Sequence, residues 1–274
     1  MKVLVTGATG FIGNYVVKEL LKQPCQIIAS SRNPDKASLC EWFPRVQYIP
    51  YDLNDTRENL FDFFQQPDLL IHLAWEGLPN YNDLFHLEKN LFSNYRFLKN
   101  MLGHGLKHLV VAGTCFEYGM QCGALSEDME TKPDNPYGLA KDTLRKFIEV
   151  LAQKYSFDLK WIRLFYLYGE GQSKNSILEQ LKSAIVKGET VFPMSGGEQQ
   201  RDYLPVERAA EYIVKISTQT KQQGIFNCCN GEPVSIRSLV DLGRYPYPDY
   251  EPMAFWGDNK KLKKILRSRN ESTD

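Results

Sequence analysis

Residues 3–13 read Val3-Leu-Val-Thr-Gly-Ala-Thr-Gly-Phe-Ile-Gly13, an apolar run followed by glycines at three-residue spacing. The apolar run predicts a strand buried on both faces, and the following helix is expected to begin near Phe11. In this interpretation Gly7 turns the chain, Gly10 lets the backbone approach a pyrophosphate, and Gly13 lets the helix pack against the strand. Because a helix N-terminus attracts phosphates, the segment predicts a dinucleotide site.

The end of the next predicted strand, Gln26–Ser30, indicates which dinucleotide binds. An NAD enzyme usually places an acidic residue there, and this residue accepts hydrogen bonds from the ribose hydroxyls. Here the strand is followed by Ser31 and Arg32. A hydroxyl and a guanidinium suit a 2′-phosphate, so the sequence favours NADP(H) over NAD(H). The alternative is that Arg32 is only a solvated loop charge.

Strand-like and helix-like segments alternate along most of the chain, which predicts an α/β fold with a doubly wound parallel sheet of the Rossmann type. We expect a dinucleotide-binding domain over residues 1–165 and a smaller C-terminal substrate-binding lobe over residues 166–274, with the option that a late strand and helix of this lobe join the first domain. Further strands are predicted at residues 46–50, 69–73, 108–112 and 159–164, and helices near residues 55–65, 84–102 and 137–155.

The carboxyl ends of parallel strands are where such sheets hold ligands. The expected cofactor-binding residues share this edge, and they are Gly7, Thr9, Gly10, Phe11, Ile12, Gly13, Ser31, Arg32, Asp52, Leu53, Leu73, Ala74, Tyr137 and Lys141. Asp52 is placed to accept from the adenine amine, although a turn or helix-cap carboxylate explains it equally well. Trp75 either forms the floor of the substrate site or packs in the core.

Tyr137 and Lys141 lie four residues apart in a predicted helix and therefore face the same side of it. A phenol, with an ordinary pKa of about 10, exchanges protons poorly at neutral pH unless a nearby cation lowers that pKa. Lys141 is expected to supply this cation and to hold the nicotinamide ribose, while Tyr137 transfers the proton. The hydroxyl of Thr114 is expected to hydrogen-bond a substrate oxygen.

The composition argues against several classes of protein. Lys+Arg and Asp+Glu both number 33, so no general field favours nucleic acid or an anionic membrane. No apolar stretch is long enough to span a bilayer and the first residues read as a strand instead of a signal peptide, which predicts a cytoplasmic protein. The six cysteines form no Cys-x-x-Cys pattern and none has a His placed to complete a zinc motif, so no metal site is expected.

These motifs resemble the extended short-chain dehydrogenase/reductases of the NAD-dependent epimerase/dehydratase superfamily, which act on nucleotide-activated sugars. The resemblance covers most of the chain, and its motifs are Gly7-Ala-Thr-Gly-Phe-Ile-Gly13, Asp52-Leu53, Leu73-Ala74, Asn90, Gly113-Thr-Cys-Phe-Glu-Tyr-Gly119, Pro136-Tyr-Gly-Leu-Ala-Lys141, Arg163-Leu-Phe-Tyr-Leu-Tyr-Gly169 and Arg201-Asp-Tyr-Leu-Pro-Val206. It implies Thr114, Tyr137 and Lys141 as the catalytic set and a homodimer formed through two helices of each subunit. It also implies that Arg201 contacts the substrate diphosphate, unless Arg201 instead pairs with Asp202 or another carboxylate.

Departures from the family pattern narrow the reaction. Dehydratases of this superfamily carry Asp and Glu directly after the catalytic threonine, where this chain has Cys115 and Phe116, so dehydration is disfavoured. Glu117 points elsewhere if the segment is extended, because successive side chains of a strand alternate. Phe116 and Tyr166 suggest a tighter and more aromatic pocket than that of an epimerase. The segment 113–119 is similar to that of reductases of nucleotide-bound 4-keto-6-deoxyhexoses.

The sequence therefore predicts an NAD(P)H-dependent reductase of the 4-keto group of a nucleotide-activated 6-deoxyhexose. A sugar-nucleotide 4-epimerase and a non-catalytic dinucleotide-binding sensor are the alternatives. The expected substrate-binding residues are Trp75, Cys115, Phe116, Tyr166, Asn175 and Arg201. The short helical pattern of residues 233–240 is followed almost directly by residues 242–248, which suggests a trimmed second lobe. A trimmed lobe is expected to affect substrate affinity more than cofactor binding.

Overall fold

The structure is a computed structural model that describes residues 1–189, 197–239 and 254–267. Its strands are Lys2–Thr6 (β1), Gln26–Ser30 (β2), Gln47–Tyr48 (β3), Leu69–His72 (β4), His108–Thr114 (β5), Gly123–Leu125 (β6), Asp158–Leu164 (β7), Tyr166–Tyr168 (β8), Gln200–Arg201 (β9), Tyr203–Pro205 (β10), Gly224–Cys228 (β11), Val234–Ser235 (β12) and Phe255–Gly257 (β13). Its α-helices are Phe11–Leu20 (α1), Pro34–Ser38 (α2), Leu60–Phe63 (α3), Leu91–Gly103 (α4), Pro136–Leu151 (α5), Ile177–Val186 (α6), Val206–Gln219 (α7), Ile236–Leu239 (α8) and Lys260–Arg267 (α9). In these ranges no helix is both long and apolar enough to cross a membrane.

Seven of the described strands form one parallel sheet in the order β11-β7-β5-β4-β1-β2-β3. The direction of strand addition reverses between β1 and β4, and open α/β sheets hold ligands at such a switch point. The predicted doubly wound α/β sheet is confirmed. The core explains why the strands are apolar throughout: Val3 and Val5 pack on one face with residues of α1 and α7, and Leu4 packs on the other face with residues of α4 and α5.

The residues after 165 are divided between the large sheet and smaller ones. Strand β11 pairs with β7, and α7 packs against α1, so both belong to the layers of the large sheet. The remaining short strands pair as β8 with β10, β9 with β12 and β6 with β13. The predicted boundary at residue 165 stays a prediction, and the segment 242–248 lies outside the described residues.

Two predicted helices differ from the observed ones in length. The pattern over residues 55–65 forms a helix only at Leu60–Phe63, which begins where the Asn59 side chain accepts from the Asp62 N–H and ends where Gln65 and Gln66 adopt positive φ. The pattern over residues 84–102 divides into a π-helical turn, His86–Asn90, and α4. Such turns often occur at functional sites.

The glycine loop after β1 is closely packed. A Cβ atom built on Gly13 would lie 2.1 Å from the carbonyl oxygen of Gly7. A Cβ on Gly7, whose φ is +70°, would lie 2.8 Å from the backbone nitrogen of Ala74. These two glycines therefore allow the end of β1, the start of α1 and the segment after β4 to meet. The positive φ of Gly7 agrees with its predicted turn and the close contact of Gly13 with its predicted packing, whereas the contact between Gly7 and the segment after β4 was not predicted.

Replacing Gly13 by Ala is expected to lower the free energy of unfolding by about 1–3 kcal/mol or more, because the new methyl group meets backbone that cannot move away. Urea denaturation followed by circular dichroism measures the loss. Gly103→Ala at the end of α4 is the matched control, since its Cβ would make an ordinary contact 3.5 Å from Tyr155 Oη. Equal losses in the two variants would contradict this account of the loop.

Candidate active site at the carboxyl edge of the sheet

Tyr137 and Lys141 lie in the first two turns of α5. The helix begins with a proline at its first position, and the Asn135 side chain accepts from the Gly138 N–H at 2.9 Å. A Cβ on Gly138 would lie 2.6 Å from the Phe116 carbonyl oxygen. The start of α5 therefore packs directly against the turn that follows β5, and this brings Tyr137 to the end of that strand.

The ammonium group of Lys141 is buried between a carbonyl oxygen and an aromatic ring. It donates to the backbone oxygen of Ala112 in β5 at 2.9 Å and lies 3.9 Å from the centroid of the Trp75 ring. Burial lowers the pKa of Lys141 to about 7, and the Glu117 carboxylate opposes this shift. Lys141 therefore titrates close to neutral pH.

Four aromatic rings surround the ring of Tyr137, which is 7% exposed. Their centroids lie 5.3–6.2 Å from that of Tyr137, and the residues are Trp75, Tyr81, His86 and Phe116. The sequence predicted Trp75 and Phe116 for this place, and Trp75 contacts both Tyr137 and Lys141. Tyr81 and His86 were not predicted from the sequence; Tyr81 lies in a turn before the π-helical turn His86–Asn90, and His86 is the first residue of that turn.

The pKa of Tyr137 moves in the direction opposite to the predicted one. Burial raises the pKa of the phenol above its ordinary value, Tyr81 adds to the rise, and a hydrogen bond with the Thr114 side chain opposes it. The predicted lowering by Lys141 is wrong, because desolvation in the aromatic surroundings outweighs any neighbouring cation. The phenol consequently keeps its proton at neutral pH and is a proton donor.

Thr114 is the last residue of β5 and begins a 3₁₀ turn, Cys115–Tyr118. Its hydroxyl accepts from the Phe116 N–H at 3.3 Å, and the Glu117 carboxylate accepts from the Thr114 N–H at 2.9 Å. The expectation for Glu117 assumed an extended segment, and the 3₁₀ turn corrects this. The signal was the Thr-x-x-Glu spacing of a capping box, which predicts a helical turn.

The conclusion that Glu117 points away from the reaction centre holds for a different reason. Its side chain is fully buried and also accepts from the Trp161 indole N–H at 2.8 Å and from Arg163 Nε at 2.8 Å. All three donors lie on β5 or β7. Glu117 therefore positions Thr114 from inside the fold.

His86 holds the ring of Trp75. Its Nδ1 accepts from the Trp75 indole N–H at 3.1 Å and from Asn90 Nδ2 at 3.2 Å, and its Nε2 donates to the carbonyl oxygen of Asn80 at 2.8 Å. This pattern requires a neutral ring with its proton on Nε2, and burial lowers the pKa of His86 accordingly. The available signal was Asn90, a motif residue four positions later in the same helical turn.

The predicted substrate-binding residues extend from Tyr137 in a line of contacts. The Phe116 ring lies 6.3 Å from that of Tyr166, and the guanidinium of Arg201 lies 5.9 Å from the Tyr166 ring and 4.7 Å from that of Phe255. Cys115 packs in the same apolar cluster. Asn175 lies on an exposed turn before α6, and none of the described contacts joins it to these rings.

The alternative partner considered for Arg201 is Asp202. The carboxylate of Asp202 accepts from three backbone N–H groups, those of Asn230, Gly231 and Gly257, at 2.7, 2.7 and 3.3 Å. Asp202 therefore joins the loop after β11 to the end of β13. A contact between Arg201 and a diphosphate stays a prediction.

The cofactor residues predicted from the glycine loop lie at the start of α1. Thr9, Phe11 and Ile12 are half-buried there, and Gly10, the residue before the helix, contributes no capping side chain. The first N–H groups of α1 are thus not covered by a side chain of the cap residue. Glycines that admit backbone at close range and a helix start without a side-chain cap fit the pyrophosphate of a dinucleotide.

The other predicted cofactor residues lie at the ends of neighbouring strands. Leu73 donates its N–H to the carbonyl oxygen of Thr6 at 3.2 Å, which holds the segment with Ala74 beside the glycine loop, and Leu53 packs against the core. Asp52 accepts from the N–H and from the side chain of Asn54, so its carboxylate takes part in a turn. Its contact with adenine stays a prediction.

Ser31 and Arg32, which follow β2, both have partners within the chain. The Ser31 hydroxyl lies 2.9 Å from the hydroxyl of Tyr48. Arg32 forms an ion pair with Glu76, whose other carboxylate oxygen lies 3.3 Å from Lys89 Nζ. Glu76, which lies in the segment after β4, was not predicted as a partner of Arg32.

The lowered pKa of Lys141 predicts how stability depends on pH. Between about pH 7 and its ordinary value of 10.5, the unfolded chain binds a proton that the folded chain has released, so this residue makes the free energy of unfolding rise with pH. Lys141→Met removes the titration. In urea denaturation, the difference wild type minus Lys141→Met should become more positive from pH 7 to about pH 9.5. A non-titrating control in the same helix, Leu144→Ala, should give a pH-independent difference, and the same result for Lys141→Met would refute the lowered pKa.

Comparisons with known proteins agree with this arrangement. Residues 3–229 match the NAD dependent epimerase/dehydratase family. The chain is 32% identical over 272 residues to the dTDP-6-deoxy-L-talose 4-dehydrogenase (NAD(+)) of Aggregatibacter actinomycetemcomitans, with 94% of this chain and 99% of that protein covered. It is 24% identical over 254 residues to the dTDP-4-dehydro-6-deoxyglucose reductase of Escherichia coli, with 87% and 79% covered.

Solved structures have the same fold. The UDP-N-acetylglucosamine 4-epimerase from Methanobrevibacter ruminantium M1 superposes with a TM-score of 0.85 at 21% identity, covering 96% of this chain and 91% of the other. The predicted resemblance to extended short-chain dehydrogenase/reductases is confirmed, as is the prediction of an enzyme of that type. The chain belongs to the NAD dependent epimerase/dehydratase family.

Proposed function

We propose that this enzyme reduces the 4-keto group of a nucleotide-activated 6-deoxyhexose with NAD(P)H. The observation that carries the proposal is the buried, protonated phenol of Tyr137 next to Thr114 at the carboxyl edge of the sheet, with Lys141 against the same Trp75 ring that Tyr137 contacts. The names of two relatives support it, since one is a 4-dehydrogenase of a dTDP-6-deoxyhexose and the other reduces a dTDP-4-dehydro-6-deoxyhexose.

The protonation state of Tyr137 supports the reductive direction. Reduction of a ketone adds a hydride to carbon and a proton to oxygen, so the catalytic acid must start protonated. A bound nicotinamide dinucleotide supplies the hydride. Tyr137 gives its proton to the substrate oxygen, and Thr114 donates a hydrogen bond at the same oxygen. Lys141, held by Ala112 and Trp75, is partly protonated at neutral pH because its pKa is about 7. A phenolate that forms at Tyr137 favours the charged form of Lys141, and that charge stabilises the phenolate.

The residues around Tyr137 support a 6-deoxy sugar. Cys115 and Phe116 stand where dehydratases carry acids, and Phe116 contacts Tyr166 and Tyr81 through their rings. Apolar and aromatic walls suit the C6 methyl group of a deoxyhexose better than a hydroxymethyl group, which would need a hydrogen-bond partner. Neither Cys115 nor Phe116 offers the carboxylic acid that dehydratases carry at these two positions.

For the cofactor we propose NADP(H) in preference to NAD(H), because Arg32 follows β2 and residues 30–33 contain no acid. The relative from Aggregatibacter is named for NAD(+), so both cofactors belong in any test. The proposal expects a higher kcat/KM with NADPH than with NADH on the same keto sugar. A higher value with NADH would contradict the NADP(H) preference and leave the reductase proposal intact.

The reductase proposal is tested by incubating the enzyme and NADPH or NADH with a panel of nucleotide 4-keto-6-deoxyhexoses and following loss of the reduced nicotinamide. Oxidation of the cofactor with at least one member is expected, and Tyr137→Phe should lower kcat about 10²–10⁴-fold by removing the proton donor. Tyr155→Phe, which removes a phenol beside the end of α4, should leave kcat unchanged.

Two other results would overturn the proposal. Conversion of a nucleotide sugar to its 4-epimer without net loss of reduced nicotinamide would identify a 4-epimerase. Cofactor binding without turnover of any substrate, unaffected by Tyr137→Phe, would indicate a dinucleotide-binding sensor.

A further inference from the structure

The ion pair between Arg32 and Glu76 crosses the predicted cofactor cleft. Arg32 is the second residue after β2, and Glu76 is the fourth residue after β4. Strand β1 lies between β2 and β4 in the sheet, and its end carries Gly7. The pair therefore spans the switch point of the sheet, on the side where a dinucleotide lies against the glycine loop.

Glu76 is held in place independently of Arg32. Its second carboxylate oxygen lies 3.3 Å from Lys89 Nζ, and its backbone oxygen accepts from Asn90 Nδ2 at 3.0 Å. Asn90 is buried and also contacts His86, so the backbone of Glu76 is tied to the inside of the fold. The carboxylate therefore stays at the cleft whether or not Arg32 is paired with it.

Arg32, in contrast, is free to exchange partners. Its side chain is 55% exposed, whereas that of Glu76 is 24% exposed. An exposed ion pair contributes little stability, and a dianionic 2′-phosphate attracts a guanidinium more strongly than one carboxylate does. The carboxylate and the phosphate would nevertheless compete for one guanidinium, and a phosphate near Glu76 would also be repelled by its charge.

We propose that Glu76 is a cofactor-selectivity residue: it competes with a cofactor 2′-phosphate for Arg32, and it thereby weakens NADP(H) binding and leaves NAD(H) usable. The inference rests on the proposed role of Arg32 in the cofactor site. The chain thus carries the arginine that is typical of NADP(H) enzymes after β2. It also carries an acid that contacts this arginine, but the acid follows β4 and not β2.

Equilibrium binding of NADPH and of NADH, measured by calorimetry without sugar substrate, tests the proposal. Glu76→Gln should tighten NADPH binding about three- to tenfold, as expected for removing one exposed charge, and should change NADH binding less than twofold. The gain should shrink as salt is raised, because both groups are exposed. Glu88→Gln, which removes an exposed acid from the same stretch of chain, is the control and should alter neither constant.

A double-mutant cycle gives the decisive result. In an Arg32→Gln background, Glu76→Gln should lose most of its effect on NADPH binding, because the competition needs the guanidinium. An undiminished effect in that background, an unchanged NADPH constant, or a change confined to NADH would each overturn the proposal. These outcomes are distinct from failure of the reductase proposal, because dissociation constants are measured and no sugar is turned over.

Discussion

The candidate active site depends on the buried carboxylate of Glu117, which holds the end of β5 in place. This carboxylate joins the Thr114 N–H at the end of β5 to Trp161 and Arg163 on β7. A Cβ on Gly113 would lie 2.6 Å from this carboxylate and 2.1 Å from Trp161 Nε1, so only glycine leaves room for it. Breaking a buried pair by removing one partner costs about 3–5 kcal/mol, so the carboxylate holds the end of β5 firmly.

The position of α5 follows from that contact. Glu117 closes the 3₁₀ turn, the turn presents the Phe116 carbonyl to Gly138, and the close approach there sets the start of α5. Tyr137 precedes Gly138 directly, and Lys141 reaches back to Ala112 in the same strand. Tyr137, Lys141 and Thr114 are therefore all positioned by the carboxyl end of β5 and the turn that follows it.

Burial, more than charge, decides the protonation of this centre. The aromatic rings remove water from both the phenol and the ammonium, which raises the pKa of Tyr137 and lowers that of Lys141 towards neutrality. Both shifts favour uncharged groups. The phenol of Tyr137 therefore holds its proton at neutral pH, which suits the proposed reduction of a ketone.

The elements that depend on a local sequence pattern could be predicted from the sequence. Strands β1 and β2 and the start of α1 lie where the apolar runs and glycines indicated. The four-residue spacing also predicted that Tyr137 and Lys141 share one face of α5. The spacing does not indicate how far a side chain is shielded from water, so the direction of the pKa shift of Tyr137 was predicted wrongly. His86 and Glu76 were missed because their partners, Trp75 and Arg32, are joined to them only by the fold.

The two ends of the predicted cleft differ in how far their charged and polar side chains are exposed to solvent. At the end that carries Tyr137, the side chains of Glu117, His86 and Lys141 are buried and hydrogen-bonded, so removing one of them leaves buried partners unsatisfied. At the strand ends that carry Arg32 and Glu76 the charges are partly exposed, so each contributes modestly and is screened by salt. A single charge can therefore be exchanged there without disturbing the reaction centre. We therefore expect substitutions of Arg32 or Glu76 to change cofactor binding while leaving the contacts around Tyr137 in place.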